Sequence, residues 1–131
     1  MTKRSFNSIN LLNLPFIDTF EEVRNVRIMR FKGSLDSTIV PEVLKIKDQL
    51  EKQGDVNKNN VLIDFKKVTH VDSAAIAVLL IKLSELKRHN KKLGLINVTK
   101  QLQILLDIFK TGKLFIIFDS EEAALESLSR H

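Results

Sequence analysis

The most apolar part of the chain consists of two neighbouring stretches, Val61-Leu62-Ile63-Asp64-Phe65 and Ala74-Ala75-Ile76-Ala77-Val78-Leu79-Leu80-Ile81. The first is short, rich in β-branched and aromatic residues and flanked by polar residues, which predicts a buried strand. The second is rich in Ala and Leu and is apolar on every face for two turns, which predicts a helix pressed against a sheet. Together they predict a central strand followed by a central helix.

The polar pair Asp72-Ser73 lies at the junction of these two elements. Either residue can be the N-cap of the helix, because each has a short side-chain oxygen that accepts first-turn amide hydrogens. The pair therefore has a purely structural interpretation. The alternative is that Ser73 is a modifiable hydroxyl, since helix amides and the helix dipole favour a phosphate there. Composition does not decide between the two.

The first half of the chain predicts a loose leader, an edge strand near Phe16–Phe20, and a strand over Val26–Phe31. A turn follows over Lys32–Asp36, in which Gly33 can take a positive φ. We expect Asp36, Ser37 or Thr38 to cap a helix that Gly54 ends, followed by a polar loop over residues 55–60. The apolar residues of that helix are Val40, Val43, Leu44, Ile46 and Leu50.

The second half continues the alternation of strands and helices. Strands are predicted over Leu93–Val98 and Leu114–Phe118, and the helix between them is capped by Thr99 and stopped by Gly112. Its apolar positions are Leu102, Leu105, Leu106 and Phe109. Asp119 or Ser120 is expected to cap a last helix.

This alternation predicts an α/β fold, in which right-handed crossovers build a mostly parallel, mixed sheet of four or five strands with about four α-helices. At 131 residues the chain is expected to form one domain over residues 20–131, preceded by an N-terminal leader or edge segment over residues 1–19.

Composition excludes several classes of function. The chain has no Cys, which rules out disulfides and thiolate chemistry. Its longest apolar run, Ala74 to Ile81, is too short to span a bilayer, and Asn10 and Asn13 interrupt the N-terminal apolar run, so we expect neither a transmembrane segment nor a signal peptide. We therefore expect a cytoplasmic protein.

The net charge of +5 raises the question of nucleic-acid binding. The densest basic cluster, Lys87 to Lys92, falls where the central helix should end, and cations there complement the helix dipole. The chain has no Tyr or Trp for base stacking and no nucleic-acid motif. A solvated helix end explains the cluster, and no direct nucleic-acid partner is expected.

The residue patterns give no support for an enzyme, a metal or a cofactor. The three His residues have no metal-ligand spacing, and the four Gly residues are too widely separated for a phosphate-binding loop. Ser73 has no nucleophile-elbow pattern around it, and nothing marks His70 as its base.

The order of motifs resembles the STAS domain, and within that superfamily the bacterial anti-sigma factor antagonists. The resemblance covers roughly residues 20–130 and depends on Gly33-x-Leu35-Asp36 after the first long strand and on Val71-Asp72-Ser73 opening the apolar helix. By this resemblance Ser73 is the residue that an anti-sigma factor, itself a serine kinase, phosphorylates. The unmodified antagonist binds that kinase, and the phosphorylated form releases it.

The resemblance also implies a partner-binding surface and an alternative role. The expected contact residues are Asp36, Asp72, Ser73, Ala74 and Ala75. In the commonest family pattern the Ser is followed by Ser or Thr and then Gly-Leu-Gly, whereas this chain has Ala74, Ala75, Ile76 and Ala77. This departure affects the identity of the partner more than it affects the fold. The alternative is a constitutive STAS scaffold of a transport complex or signalling assembly, with Ser73 only part of a helix cap. Partner identity and oligomeric state stay open.

Overall fold

The structure is a computed structural model and describes residues 14–53 and 59–129. These residues contain five strands and four α-helices, as the sequence predicted. Short 3-10 helices at Ser37–Ile39 and Gly112–Leu114 precede α1 and β5. The elements are β1 (Ile17–Val23), β2 (Val26–Leu35), α1 (Val40–Gln53), β3 (Asn60–Val71), α2 (Ser73–Arg88), β4 (Leu93–Ile96), α3 (Lys100–Ile108), β5 (Ile116–Ile117) and α4 (Glu121–Leu128).

The sheet has the order β1-β2-β3-β4-β5. β1 and β2 form an antiparallel hairpin, and β2 to β5 are all parallel. The two residues of the hairpin turn, Arg24 and Asn25, have φ values of 51° and 64°. Positive φ at both turn positions gives the twist that suits a two-residue hairpin. The predicted mostly parallel, mixed α/β sheet is confirmed.

Alternating side chains of the sheet supply two separate cores. Along β3, Val61 and Ile63 lie in a core that α1, α2 and α3 cover, whereas Leu62 lies in a second core that α4 covers. Successive residues of a strand point to opposite faces, so one strand serves both cores. The helix α2 buries six apolar residues in the larger core, which explains its nearly continuous apolar sequence.

The predicted turn over Lys32–Asp36 is wrong, because β2 continues through Leu35. β2 stays paired with the parallel strand β3 over these residues, with Ser34 opposite His70 and Leu35 opposite Val71. Gly33 does take the predicted positive φ, at 69°. It lies beside a shift in strand register and not in a chain reversal.

The predictions for α3 and β5 also need correction. α3 ends at Ile108, and Lys110 already has a positive φ of 55°, so Gly112 does not stop this helix. The apolar run Leu114–Phe118 contains only a two-residue edge strand, and both of its residues are 39% exposed. Phe115 of this run is buried in the larger core, so the run is only partly buried.

Two of the apolar residues assigned to the predicted helices are exposed. Leu44 on α1 is 47% exposed, and Phe109, the residue that follows α3, is 49% exposed. The side chain of Leu50, the proposed stop at Gly54 and the loop residues 55–58 lie outside the described residues. The proposed leader, residues 1–19, includes the start of β1, and that boundary stays a prediction. In the described ranges, no helix is long and apolar enough to cross a membrane.

Candidate functional site

The C-terminal ends of β2 and β3 bring Asp36 and Asp72 side by side. Leu35 and Val71 are register partners at the ends of these parallel strands, and the amide of Asp72 donates to the carbonyl oxygen of Leu35 at 3.2 Å. The next residues, Asp36 and Asp72, therefore leave the sheet together at one edge. The C-terminal edge of a parallel sheet is a common position for binding sites in α/β folds.

Asp72 is the N-cap of α2, which answers the question that the sequence left open. One of its carboxylate oxygens accepts a hydrogen bond from the amide of Ala74 at 2.8 Å, and its carbonyl oxygen accepts from the amide of Ala75 at 3.0 Å. Ser73 is then the first residue of the helix, and its side chain is exposed. The hydroxyl is available at the surface because the neighbouring carboxylate does the capping.

Asp36 has the same role on the adjacent connection. It caps the 3-10 helix that begins at Ser37, and its carboxylate accepts hydrogen bonds from the amide of Thr38 at 3.0 Å and from the hydroxyl of Thr38. These bonds, together with the charge of His70, lower the pKa of Asp36 despite an opposing effect of desolvation. The edge therefore carries a carboxylate that stays ionised to lower pH than an ordinary aspartate.

A third connection reaches the same edge through Gln101. Its side-chain oxygen accepts a hydrogen bond from the amide of Val71 at 3.2 Å, so the first turn of α3 lies against the end of β3. Thr99 caps α3 as predicted, accepting from the amide of Leu102 at 3.1 Å. Sequence reasoning missed Gln101. The signal was available, because a helix that follows a parallel strand starts at the C-terminal edge of the sheet.

The alanines after Ser73 do not all lie at the surface. Ala74 is half-buried and Ala77 is exposed, whereas Ala75 is 2% exposed and belongs to the core. The expectation that Ala75 contacts a partner does not fit this position, since its methyl group packs inward. A continuous accessible face on α2 runs instead from Ser73 along the helix to Ala77, which are one turn apart.

This edge of the sheet, formed by Asp36, Asp72, Ser73 and Gln101, is named the Ser73 edge below. It combines an exposed hydroxyl with two carboxylates that cap adjacent helices. Such an arrangement suits recognition and modification of the hydroxyl, because both carboxylates are held by backbone amides or by the neighbouring Thr38 and neither bonds to Ser73.

Solved structures share this fold. The anti-sigma factor antagonist SpoIIAA in its unphosphorylated form is 21% identical, covers 86% of this chain and 96% of its own, and has a TM-score of 0.63. Its phosphorylated form from Bacillus gives 20% identity, 83% and 96% coverage and a TM-score of 0.62. An anti-sigma factor antagonist from Mycobacterium paratuberculosis is 15% identical, with 84% and 91% coverage and a TM-score of 0.69.

A transporter-related protein also shares the fold. The sulfate transporter family protein from Wolinella succinogenes is 17% identical, covers 84% of this chain and 92% of its own, and has a TM-score of 0.61. At these identities the structures establish the fold and leave the function open. The family itself follows from the sequence model of the STAS domain, which matches residues 19–124. Since that match covers most of the chain, the protein belongs to the STAS domain family.

Proposed function

We propose that this protein is an anti-sigma factor antagonist, and that phosphorylation of Ser73 switches its binding to an anti-sigma factor that is also a serine kinase. The observation that supports this function best is the exposed Ser73 hydroxyl directly after a carboxylate that already caps α2. The likeness to SpoIIAA, which has been solved in an unphosphorylated and a phosphorylated form, points the same way.

The capping geometry explains how a phosphate would act. A phosphate adds about −1.5 to −2 charges at neutral pH. In this structure the amides of Ala74 and Ala75 already donate to Asp72, so they are not free to neutralise it. The added charge therefore faces solvent and is repelled by the Asp72 carboxylate. A partner that covers the unmodified hydroxyl would have to desolvate this charge, so phosphorylation weakens binding without refolding the domain.

The experiment is the intact mass of the protein purified from its native cells, with fragmentation to locate any phosphate. We expect a phosphate on Ser73 that disappears in Ser73→Ala. The matched control is Ser120→Ala, because Ser120 is also an exposed serine at a helix start. That variant should keep the phosphate. No phosphate on Ser73 in growing, starved or stressed cells would contradict the proposal.

Binding measurements with the kinase then test the direction of the switch. Ser73→Asp should weaken binding of the anti-sigma factor, whereas Ser73→Ala should preserve it, since only the former adds a charge to the Ser73 edge. Equal affinities of the two variants would argue against a switch. Neither variant should change the free energy of unfolding by more than about 1 kcal/mol, because the side chain is exposed.

A second candidate is a constitutive scaffold in a transport complex or signalling assembly, with Ser73 serving only the helix start. The shared fold of the Wolinella succinogenes sulfate transporter family protein favours it. The same mass measurement separates the two candidates. A scaffold of this kind would carry no phosphate at Ser73 and would copurify with a membrane complex.

A further inference from the structure

The exposed apolar side chains of this protein are concentrated in one short segment. Single apolar side chains on a surface are ordinary, whereas a contiguous group of them marks an interaction surface. Among the residues that the structure describes, six of the seven exposed large apolar side chains lie between residues 104 and 117, and the seventh is Leu44 on α1. The six are Ile104, Ile108, Phe109, Leu114, Ile116 and Ile117.

The connection between α3 and β5 is folded and holds its apolar side chains at the surface. The amide of Thr111 donates to the carbonyl oxygen of Leu106 at 2.9 Å, and the amide of Leu114 donates to the carbonyl oxygen of Thr111 at 3.0 Å. Phe115, which is 5% exposed, anchors the connection in the larger core. Phe109 and Leu114 are therefore exposed on a connection whose backbone is bonded and whose neighbouring side chain is buried.

Lysines lie beside these apolar side chains. α2 and α3 each cross back between parallel strands, so both helices end at the edge of the sheet where the strands begin. The amide of Val61 donates to the carbonyl oxygen of Lys92 at 3.0 Å, and Gly94 of β4 is the register partner of Ile116 of β5. The residues that enter β4 and β5 therefore lie side by side.

The two connections that meet there, residues 87–92 and 109–115, are named the basic edge below. Neither connection contains Asp or Glu. Their lysines, all exposed except the half-buried Lys91, form no ion pair within the described part of the chain. Asp107, in the last turn of α3, is the nearest carboxylate along the chain from the second connection, and Gln103 donates to it at 3.1 Å. The lysines of the basic edge are Lys87, Lys91, Lys92, Lys110 and Lys113.

We propose that the basic edge binds the surface of an anionic lipid bilayer. Phe109 and Leu114 enter the boundary between headgroups and acyl chains, and the lysines lie against the phosphates of the headgroups. Apolar side chains flanked by lysines are the usual composition of protein segments that lie in the membrane interface. Lysines close to an anionic bilayer add an attraction that salt screens.

The composition of the basic edge favours a bilayer over a protein. Protein interfaces are enriched in Tyr, Trp and Arg and depleted in Lys, whereas this chain has no Tyr or Trp and the edge carries five lysines. A second copy related by two-fold symmetry would bring the same lysines against one another. An anionic bilayer complements both the charge and the apolar side chains.

The basic edge is remote from the Ser73 edge. It lies where β4 and β5 begin, whereas Ser73 follows the end of β3, a strand parallel to both. A bilayer at the basic edge leaves the Ser73 hydroxyl accessible. The inference therefore does not rest on the proposed function.

The test is co-sedimentation of the full chain with two kinds of vesicle. One contains phosphatidylcholine alone, and the other contains phosphatidylcholine and phosphatidylglycerol in equal parts, which gives it negative headgroups. Binding to the anionic vesicles should be at least about tenfold tighter than binding to the neutral ones. It should weaken as salt is added, because salt screens the attraction between lysines and headgroups.

Substitution of two lysines tests the contribution of charge. Lys110→Gln together with Lys113→Gln should weaken binding to the anionic vesicles at least about tenfold. The matched control is Lys32→Gln together with Lys66→Gln, which removes the same charge from exposed positions on β2 and β3. That control should change binding less than about twofold, because its lysines lie outside the basic edge.

Leu114→Ala tests the insertion of apolar side chains. Leu114 is 45% exposed and Leu44 on α1 is 47% exposed, so Leu44→Ala removes the same group from an equally exposed position outside the basic edge. Leu114→Ala should weaken binding to the anionic vesicles at least about fivefold, and Leu44→Ala should leave it unchanged. Since both side chains are exposed, both variants should fold.

Several outcomes would overturn the proposal. Binding to neither kind of vesicle, or equal binding to both, would do so, and so would equal effects of a variant and its matched control. Binding of poly-glutamate but of neither vesicle would assign the basic edge to an acidic protein. A dimer of the full chain that Leu114→Ala dissociates and Leu44→Ala does not, without vesicle binding, would assign it to a second copy.

Discussion

Two aspartates of the β3 region, Asp64 and Asp72, have opposite surroundings. Asp64 is 6% exposed, and its carboxylate accepts hydrogen bonds from Arg30 at 2.8 Å, Asn97 at 2.9 Å and the amide of Lys66 at 2.9 Å. Asp72 is half-buried, and its carboxylate accepts from the amide of Ala74, two residues along the chain. Asp64 therefore connects elements that are distant in the sequence, whereas Asp72 stabilises only the turn in which it lies.

The Arg30 guanidinium extends the first of these networks. It donates to Glu21 at 2.9 Å and to Glu121 at 2.7 Å, in addition to Asp64. One side chain of β2 thus connects β1, β3 and the start of α4. The bonds of this network join separate elements around the buried Asp64 carboxylate, which gives the network a structural role, while the side chains of Arg30 and Glu121 are 24% and 40% exposed. The Ser73 edge has local bonds, which leave its outer surface accessible.

The largest effect should come from breaking the Arg30 network. Arg30→Met leaves three carboxylates without their shared cation, one of them buried, and should lower the free energy of unfolding by about 3 kcal/mol in urea titrations. The control is Arg24→Met, since Arg24 pairs with Glu122 at 3.0 Å where both side chains are well exposed. An exposed pair contributes at most about 1 kcal/mol. Equal losses in the two variants would contradict the structural role of Arg30.

The next effect is acid sensitivity at Asp64. Burial raises the pKa of this carboxyl, but the hydrogen bonds from Asn97, Lys66 and Arg30 and the charge of Arg30 outweigh that effect and lower it below its usual value. A lowered native pKa adds stability that is fully present above the unfolded pKa of about 3.9 and is lost as the pH falls through the native pKa.

Asp64→Asn tests this acid sensitivity, because it keeps the shape and removes the charge. The variant should be about 2 kcal/mol less stable than the wild type at pH 7, since it weakens hydrogen bonds to a charged group. The difference should shrink as the pH falls below about 4. The measurement is the free energy of unfolding of both proteins, obtained by chemical denaturation at each pH. A difference that stays constant from pH 7 down to the acid transition would show that the charge of Asp64 does not contribute to stability.

Sequence reasoning named Asp36, Asp72 and Ser73 but missed Gln101 and the Arg30 network. The resemblance to the STAS family grouped Asp36 with Ser73, whereas the residue pattern alone placed Asp36 in a turn after a strand that ended at Phe31. Arg30, Asp64 and Glu121 meet because of the exact pairing register of β2 with β3 and the position of α4. Neither is encoded in a local pattern.

The errors at the other edge of the sheet have a related cause. Ile116 and Ile117 are apolar, and the sequence predicted a strand over Leu114–Phe118 from the apolarity of that run. Their exposure depends on β5 being the last strand, with β4 on one side and no further strand in the described part of the chain. The apolarity of a run predicts a strand better than it predicts which of its faces is covered.

The smallest effect concerns Asp72, whose two roles can be separated by substitution. Asp72→Ala removes the N-cap of α2 and should cost about 1 kcal/mol, much as Ser120→Ala should for α4, where the Ser120 hydroxyl accepts from the amide of Ala123 at 3.1 Å. Asp72→Asn should cost less, because Asn caps as well as Asp. The Asn variant therefore keeps the helix start and removes the charge beside Ser73.

If the Asp72 carboxylate contributes to the switch by repelling a phosphate on Ser73, phosphorylated Asp72→Asn should bind the anti-sigma factor more tightly than the phosphorylated wild type. The unmodified forms of the two proteins should then bind equally. If both forms bind as the wild type does, Asp72 is a helix cap and the switch depends on the phosphate alone.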